Sequence, residues 1–189
     1  MENKRNTVEC SSEEVLNIIA NARRLTREYN STDYREQEKK NAILSELFGK
    51  IGTNVAIDTP FYCNYGKNIS LGNNVIININ CTFIDDSEIK IGNNVLIASN
   101  VQLYTASHAP EPKERIIDDW EKKGTNWFRT YSEPIIIKDG VWLGGGVIVL
   151  PGVVIGENSV IGAGSVVNRS IPANCVAVGN PCRPVRFFE

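Results

Sequence analysis

The sequence predicts a mainly β protein whose body is a left-handed parallel β-helix of hexapeptide repeats, and three observations predict it. Six consecutive blocks from Ile137 all begin with Ile, Leu or Val and carry Val, Ile or Ser at the fifth position. The same spacing returns earlier, in runs that start at Leu71 and Ile91. Gly and Asn stand between the aliphatic positions, where a chain must turn with positive φ.

Chance does not account for this pattern. Ile, Leu and Val make up 48 of the 189 residues. Six aliphatic first positions in a row would therefore arise by chance roughly once in several thousand trials.

Each hexad is expected to form a short strand and a turn, with its first residue pointing inward onto the next coil. Three hexads close a triangular coil of about 18 residues. With a weaker pair at Ile51 and Ile57 the chain holds fourteen hexads, which give between four and five coils. The coils must stack, because one coil alone cannot bury its apolar face.

Two helices are expected to cover the open end of the first coil, across residues 11–48. Val15, Ile18 and Ala22 follow helical spacing, and an exposed solenoid end needs such a cover. The end signals are a capping box at Ser11 and Glu14, a second cap at Asp33 and Glu36, and a stop at Gly49.

These patterns divide the chain into three parts. Residues 1–50 are the predicted helical cap, residues 51–178 the β-helix and residues 179–189 a C-terminal tail. An extended loop at 109–134 interrupts the β-helix, since it contains no hexad and is rich in charged and aromatic residues. A loop of this length inside a compact domain usually has a function.

Composition narrows the classes of protein. A net charge of −2 and a pI near 5.6 offer no basic face, which disfavours nucleic acid as a partner. The apolar runs are too short to cross a membrane, and the polar start of the chain lacks the apolar core of a signal peptide. The five cysteines form no Cys-x-x-Cys pair, which argues against a zinc ribbon or a disulfide framework. We therefore expect a cytoplasmic protein with free thiols.

His108 is the candidate catalytic residue. It is the only histidine, it stands where the hexads are interrupted, and Pro110 stiffens the chain just after it. Imidazole is suited to act as a general base near neutral pH. A surface histidine with no chemical role is the alternative interpretation.

Polar side chains on earlier coils are expected to stack near this histidine, since a coil of about 18 residues brings such positions together. They are Asn78, Asn80, Asp85 and Asp86. The alternative is that they are ordinary turn residues, for which Asn and Asp are favoured.

Two further features could hold a second substrate. Leu143-Gly-Gly-Gly-Val147 permits close approach to the backbone, and an exposed N–H group there could stabilise an oxyanion. Arg169, Arg183 and Arg186 could bind phosphate groups near the C-terminus, or form a solvated basic surface.

Taken together, these motifs resemble the maltose and galactoside O-acetyltransferases, a family that includes the nodulation sugar acetyltransferases. The resemblance rests on the hexads, the helical N-terminus, Thr105-Ala-Ser-His108 before a loop, and Gly179-Asn-Pro-Cys-Arg183. The stretch from Asn78 to Asp86 makes it more specific, and the resemblance covers nearly the whole chain after about residue 25.

The resemblance implies an acetyl-CoA-dependent O-acetyltransferase that needs no metal and forms a homotrimer with active sites between subunits. His108 matches the catalytic histidine, and Asn78 and Asp86 match acceptor-site residues. The positions that match the surroundings of the coenzyme are Trp142, Gly145, Ala163, Asn168, Arg169, Arg183 and Arg186.

The chain departs from the galactoside enzymes around the acceptor pocket. Asn64 stands where they have a serine of the acceptor site, and no aspartate near Cys10 corresponds to their N-terminal acceptor residue. The loop after His108 is longer, and Gly145 replaces a serine. The acceptor is therefore less well defined by the resemblance than acetyl transfer.

Three other functions are considered. An amino sugar or an antibiotic could be the acceptor of the same chemistry. A non-catalytic β-helical binding or scaffold protein is possible, because fold does not fix function. A metalloenzyme similar to the γ-type carbonic anhydrases needs three histidines around zinc, which a chain with one histidine does not supply.

Overall fold

The computed structural model describes residues 6–8 and 12–189, and most of that part of the chain forms the predicted left-handed parallel β-helix. The described helices are α1 (Glu13–Ser31), α2 (Gln37–Leu47), α3 (Pro112–Arg115) and α4 (Trp120–Lys123). The described strands are β1 (Asn6–Val8), β2 (Val55–Ile57), β3 (Phe61–Cys63), β4 (Ile69–Leu71), β5 (Val75–Ile77), β6 (Cys81–Ile84), β7 (Ile89–Ile91), β8 (Val95–Ile97), β9 (Gln102–Tyr104), β10 (Ala106–Ser107), β11 (Thr130–Ser132), β12 (Ile135–Ile137), β13 (Trp142–Leu143), β14 (Ile148–Val149), β15 (Val154–Ile155), β16 (Val160–Ile161), β17 (Val166–Val167), β18 (Cys175–Val178) and β19 (Arg183–Phe187).

The coils have three faces, each a parallel sheet among the described strands. Face A contains β4, β7, β12 and β15, face B contains β2, β5, β8, β13, β16 and β18, and face C contains β3, β6, β9, β14 and β17. The chain passes from A to B to C and back to A in every coil. We call the turns after faces B and C the B–C corner and the C–A corner.

Inward side chains stack in columns from coil to coil. On face B the registered column is Ile57, Ile77, Ile97, Leu143 and Ile161, all of them buried. Its members are 20 residues apart in the first coils and 18 apart between Leu143 and Ile161. The expected 18-residue coil is therefore correct between Leu143 and Ile161, whereas the first coils have two additional residues and the last, from Ile161 to Ala177, has two fewer.

The β-helix is longer than the hexad count predicts. Face C is 5-stranded, so the described strands complete five coils, and Ile171 and β18 begin another. One inward position missed in the sequence is Ile171, which follows Val167 by four residues instead of six. The other two are Cys63 and Ala177, which lie six residues after Ile57 and Ile171. Both are small side chains at positions where the pattern expects a larger aliphatic one.

The turns of successive coils are joined by an asparagine ladder. Asn54, Asn74 and Asn94 all have φ between 55° and 57°, a region that Asn tolerates better than most residues. Their side-chain amides bond from coil to coil, at 2.9 Å for Asn54–Asn74 and 2.8 Å for Asn74–Asn94. The ladder pairs polar side chains at the turn between faces A and B and fixes the register of the coils.

The two N-terminal helices end at different residues from those predicted. The predicted cap Ser11 lies outside the described residues, and the observed N-cap of α1 is Ser12, whose hydroxyl accepts the N–H of Val15 at 3.3 Å. Glu36 is the N-cap of α2 but makes no side-chain bond there. The helix ends at Leu47, with Phe48 as its C-cap.

Gly49 has a different role from the predicted helix stop, because a Cβ there would overlap the carbonyl oxygen of Lys67. The glycine allows the chain to enter the first coil close to the next one.

Two contacts fasten α1 to the β-helix. The Tyr29 hydroxyl donates to the carbonyl of Ile57 at 2.6 Å, and Asn30 bonds both backbone groups of Phe61. The Phe61 ring packs edge-to-face on Phe83 with centroids 5.2 Å apart. The helical cover is thus continuous with the core of the coils.

The excursion at 109–134 is a folded structure that carries α3, α4 and β11. Its returning strand β11 pairs antiparallel with β10 and, on its other edge, with β1. Neither β1 nor this small sheet is visible as a sequence pattern, because the segments are short and lack hexads.

The segment predicted as a C-terminal tail contains β19, which folds back antiparallel onto β18 of face B. Within the described part of the chain, no helix combines the length and the apolar character that crossing a membrane requires.

The stacked columns predict a large difference between inward and outward isoleucines. We expect Ile77→Ala to lower the free energy of unfolding by about 2–5 kcal/mol, since it leaves a cavity in the fully buried column. Ile79→Ala, at a B–C corner position that is 48% exposed, should cost less than about 1 kcal/mol. Denaturant unfolding measures both, and equal losses would contradict the assignment of the column.

Candidate active site

The C–A corner is enlarged in the early coils, and the candidate site lies on it. Phe83 and Ile91, inward residues on either side of this corner, are eight residues apart, whereas Val149 and Ile155 in the later coils are six apart. The additional residues project beyond the triangular outline. They make room for polar side chains that a minimal hexad turn does not carry.

His108 follows β10 at this corner and is held by the excursion that begins after it. Its Nδ1 lies 2.8 Å from the carbonyl oxygen of Arg129. A carbonyl only accepts, so Nδ1 carries the hydrogen and the neutral ring keeps a lone pair on Nε2. The ring also packs edge-to-face on Phe128, with centroids 5.4 Å apart. The histidine is exposed but has one fixed tautomer and orientation.

Asp86 and Asn64 lie at the same corner. The Asn64 amide donates to Asp86 Oδ2 at 3.1 Å. Burial raises the pKa of the Asp86 carboxyl, while the hydrogen bond from Asn64 and the charge of nearby His108 act in the opposite direction. The Asp86 carboxyl and the His108 ring are therefore close enough to interact electrostatically.

Asp85 supports this arrangement from beneath. It is fully buried, and its Oδ1 accepts the backbone N–H groups of Asn64 and Tyr65 at 2.9 Å and 2.8 Å. Its Oδ2 has no hydrogen-bond partner among the described residues. Burial, with a smaller contribution from the Asp86 carboxylate, raises its pKa to about 6 against the effect of the backbone N–H groups. Asp85 thus fixes the backbone from which Asn64 reaches Asp86.

The expectation that Asn78 stacks near His108 within one chain is wrong. Asn78 lies at the B–C corner, where its N–H donates to Ile97 and its Oδ1 accepts the hydroxyl of Ser99 at 2.8 Å. Strand β6 lies between Asn78 and Asp86, so these two residues, eight apart in sequence, occupy different corners of the triangle. The same corner position is occupied in later coils by Ala98, Gly144 and Gly162. The backbone N–H of each donates to a carbonyl of the next coil.

Asn80, which was grouped with these residues, bonds to Asn100 as a rung of a second asparagine ladder. Both residues have positive φ, which identifies Asn80 as a turn residue of the solenoid.

The residues matched to the coenzyme are spread over the outside of the later coils. Trp142 is 50% exposed on face B, and Gly145 and Ala163 occupy the B–C corner next to it. The Gly145 N–H donates to no acceptor within residues 6–8 and 12–189. It is therefore available to an oxygen of a ligand.

The polar members of that set lie beyond β17. Asn168 Oδ1 accepts from Arg183 Nη1 at 3.2 Å, and Arg186 lies on β19 opposite Val176 of face B. Arg169 is exposed after β17. The structure joins Asn168 to Arg183, Arg169 directly follows Asn168 in the chain, and Arg186 lies on the same strand as Arg183.

Two comparisons of sequence decide the family. Residues 134–169 match the family model "Bacterial transferase hexapeptide (six repeats)", and residues 9–52 match "Maltose acetyltransferase hexapeptide capping motif". The galactoside O-acetyltransferase of Lactococcus lactis is 43% identical over 84% of this chain and 72% of its own length. The chain belongs to the maltose and galactoside O-acetyltransferase family. Its members are acyltransferases, and the resemblance seen in the sequence is confirmed.

Solved structures agree with this assignment. A maltose O-acetyltransferase from Clostridium difficile 630 superposes with a TM-score of 0.89 at 41% identity, covering 98% of this chain and 94% of its own. A hexapeptide-repeat acetyltransferase from Vibrio cholerae O1 biovar eltor, solved with acetyl coenzyme A, gives a TM-score of 0.86 at 36% identity. It covers 96% of this chain and 92% of its own.

Sequence reasoning missed the parts of this acetyltransferase that orient the histidine. The loop aromatics were noticed, but no pattern pairs Phe128 or the Arg129 carbonyl with His108, because Arg129 follows His108 by 21 positions through an excursion that contains no repeat. Asp85 was named as a neighbour of the site, whereas its contact with the backbone at Asn64 depends on the register of two coils.

The buried carboxyl of Asp85 predicts a characteristic pH dependence. Its pKa is about 6 in the folded protein and about 3.9 in an unfolded chain. Between these values the folded state keeps a proton that the unfolded state has lost. The contribution of Asp85 to stability is therefore largest below about pH 4 and falls as the pH rises to about 6.

We therefore expect the free energy of unfolding of the wild type, minus that of Asp85→Asn, to fall by about 2 kcal/mol from pH 4 to pH 7. Denaturant unfolding at a series of pH values measures this difference. Asp118→Asn, an exposed position in the excursion, is the control and should show no such trend. A difference for Asp85→Asn that is independent of pH would contradict the raised pKa.

Proposed function

We propose that this chain is an acetyl-CoA-dependent O-acetyltransferase that transfers the acetyl group directly to a hydroxyl of a sugar, with His108 as the general base. The observation that carries the proposal is the bond from His108 Nδ1 to the carbonyl of Arg129, which leaves Nε2 free to accept a proton. A maltose and a galactoside acetyltransferase among its relatives support a sugar as the acceptor.

The reaction follows from these groups. The hydroxyl oxygen of the acceptor attacks the thioester carbonyl while His108 Nε2 takes up the hydroxyl proton. The tetrahedral oxyanion is stabilised by the Gly145 N–H, and the Asp86 carboxylate stabilises the imidazolium. The C–S bond then breaks, His108 returns the proton to the thiolate, and the acetyl ester and free coenzyme A leave. Binding both substrates in one cleft supplies the proximity.

A site shared between subunits of a homotrimer is part of this proposal. His108 and Asp86 are at the C–A corner, while Asn78 and Gly145 are at the B–C corner of the same chain, beyond the width of face C. A cleft in which the C–A corner of one subunit faces the B–C corner of the next would unite them. Closed rotational symmetry then generates equivalent sites.

Face B has the surface that such contact requires. Ile76, Leu96 and Trp142 lie in register along it and are 46%, 48% and 50% exposed. A continuous apolar row of this kind is typical of an interface or a ligand-binding surface.

In the shared cleft, Asn64, Asn78 and Asp86 would contact the acceptor, and Trp142, Gly145 and Ala163 would line the path of acetyl-CoA. Arg169, Arg183 and Arg186 would meet its phosphates, for which guanidinium groups are suited.

The four cysteines among the described residues are free thiols, which supports the cytoplasm as the location.

Removal of the proposed base should abolish turnover and leave binding intact. We expect His108→Ala to lower kcat about 10²–10⁴-fold, because general-base catalysis is lost. Release of free thiol from acetyl-CoA in the presence of maltose, glucose, galactosides and amino sugars measures the rate. Sedimentation and calorimetry should show an unchanged oligomer and unchanged acetyl-CoA affinity, and near-normal turnover would exclude His108 as the base.

Mixing two inactive variants tests the shared site. In trimers formed from equal amounts of His108→Ala and Asn78→Ala chains, about a quarter of the sites would unite a wild-type His108 with a wild-type Asn78 of the neighbour. We expect the mixture, after dissociation and reassembly, to recover about a quarter of wild-type turnover. The two variants reassembled separately are the controls, and recovery no greater than theirs would place both residues in the site of one chain.

A further inference from the structure

A cleft of about 300 Å³ opens between α1 and the first two coils of face C, next to the candidate active site. Residues from both elements line it, chiefly Arg23, Arg27, Tyr62, Cys63, Asn64 and Ile84. Its volume is at the lower end of the range for small-molecule sites and suits a monosaccharide.

Two arginines of α1 line this cleft. Arg23 and Arg27 form no ion pair or hydrogen bond within residues 6–8 and 12–189. They are four residues apart on the same side of the helix, an arrangement of like charges that destabilises a helix. Nothing in the described fold offsets that cost.

Arg24, which lies between them in sequence, forms ion pairs that hold it in a structural role. Its guanidinium pairs with Glu46 at 2.8 Å and with Glu28 at 3.4 Å, and it bonds Asn21 at 2.9 Å. The chain thus provides acidic partners for the arginine that faces α2 and none for the two that face the cleft.

The other walls of the cleft are neutral. Burial raises the pKa of the Cys63 thiol to about 12, and the Asp85 carboxyl behind it contributes to that rise, so Cys63 stays protonated. The Thr26 hydroxyl donates to the carbonyl of Ala22. An anion entering the cleft would therefore meet the two guanidinium groups and no acidic side chain among its lining residues.

Asn64 connects the cleft to the catalytic histidine. It lines the cleft and donates to Asp86, which interacts electrostatically with His108. A ligand in the cleft can therefore contact the arginines and also Asn64, which is one hydrogen bond away from Asp86.

We propose that this cleft is an acceptor subsite in which Arg23 and Arg27 bind a carboxylate or phosphate group of an anionic sugar. The inference rests on the acetyltransferase function proposed above and names the substrate class. Guanidinium groups match both anions through paired N–H donors. The Asp86 carboxylate repels the anionic group from the other end, so that the sugar binds with a hydroxyl toward His108.

Matched acceptors test the charge requirement. Glucose, glucuronate and glucose 6-phosphate share one ring and differ in the group at a single carbon. We expect wild-type enzyme to have a kcat/KM on the order of tenfold or more higher for at least one of the two anions than for glucose. The uronate and the phosphate compared with each other identify which anion the subsite takes. A wild-type preference for glucose over both anions would overturn the proposal.

Variants test the two arginines. Arg23→Gln/Arg27→Gln should raise KM for the preferred anion on the order of ten- to a hundredfold and leave KM for glucose and kcat nearly unchanged. Arg24→Gln is the matched control on the same helix and should change neither. An equal loss on anionic and neutral acceptors, or an equal effect of Arg24→Gln, would contradict the subsite. The thermal midpoint of the double variant should not fall, since a like-charge repulsion has been removed.

A binding measurement separates this inference from the proposed function. Calorimetric titration of the His108→Ala variant with glucuronate and glucose 6-phosphate requires no acetyl transfer. Binding that is lost in the His108→Ala/Arg23→Gln/Arg27→Gln variant supports the anion subsite even if no acceptor is acetylated. Acetylation of neutral sugars without binding of either anion overturns the subsite and leaves the acetyltransferase intact.

Discussion

Registered stacking of one coil on the next is the constraint on which the remainder of the molecule depends. Parallel strands bond only to the coil before and the coil after, and each inward residue packs on its equivalents there. The asparagine ladders hold the same register at the corners. Since every corner position is fixed by this stacking, a side chain on one coil meets a side chain on the next with little freedom.

The candidate site lies at the C–A corner, where the early coils depart from the six-residue repeat and the stacked coils hold its side chains in place. Where a coil gains two residues, the backbone can carry Asp85 and Asp86 outward without disturbing the inward columns. Asp85 then turns back to bond the chain at Asn64 one coil earlier. The polar groups of the site are thus supported by backbone from two coils, which keeps an exposed arrangement in one geometry.

The fold could be predicted because an aliphatic residue recurs every six positions along the repeats. Helix ends were less well defined, since the cap of α1 is Ser12, and neighbouring Ser and Glu residues satisfy the same rule. His108 could be found from its position at the interruption. The corner of Asn78 and the partners of His108 could not, because they depend on three-dimensional register and on the path of the excursion between His108 and Arg129.

The way in which His108 is held has a consequence for how such enzymes can diversify. Its hydrogen-bond partner and its aromatic neighbour both come from residues 128 and 129, where the chain is already returning to β11. These two residues are themselves held by α3 and its C-cap, since the Arg129 N–H donates to the carbonyl of Arg115 and Ile116 pairs with Phe128. Helix α4, by contrast, makes no hydrogen bond to residue 128 or 129 within the described part of the chain. Insertions, deletions and substitutions can therefore accumulate there, and new acceptors can be explored, while the proton-accepting nitrogen stays in place.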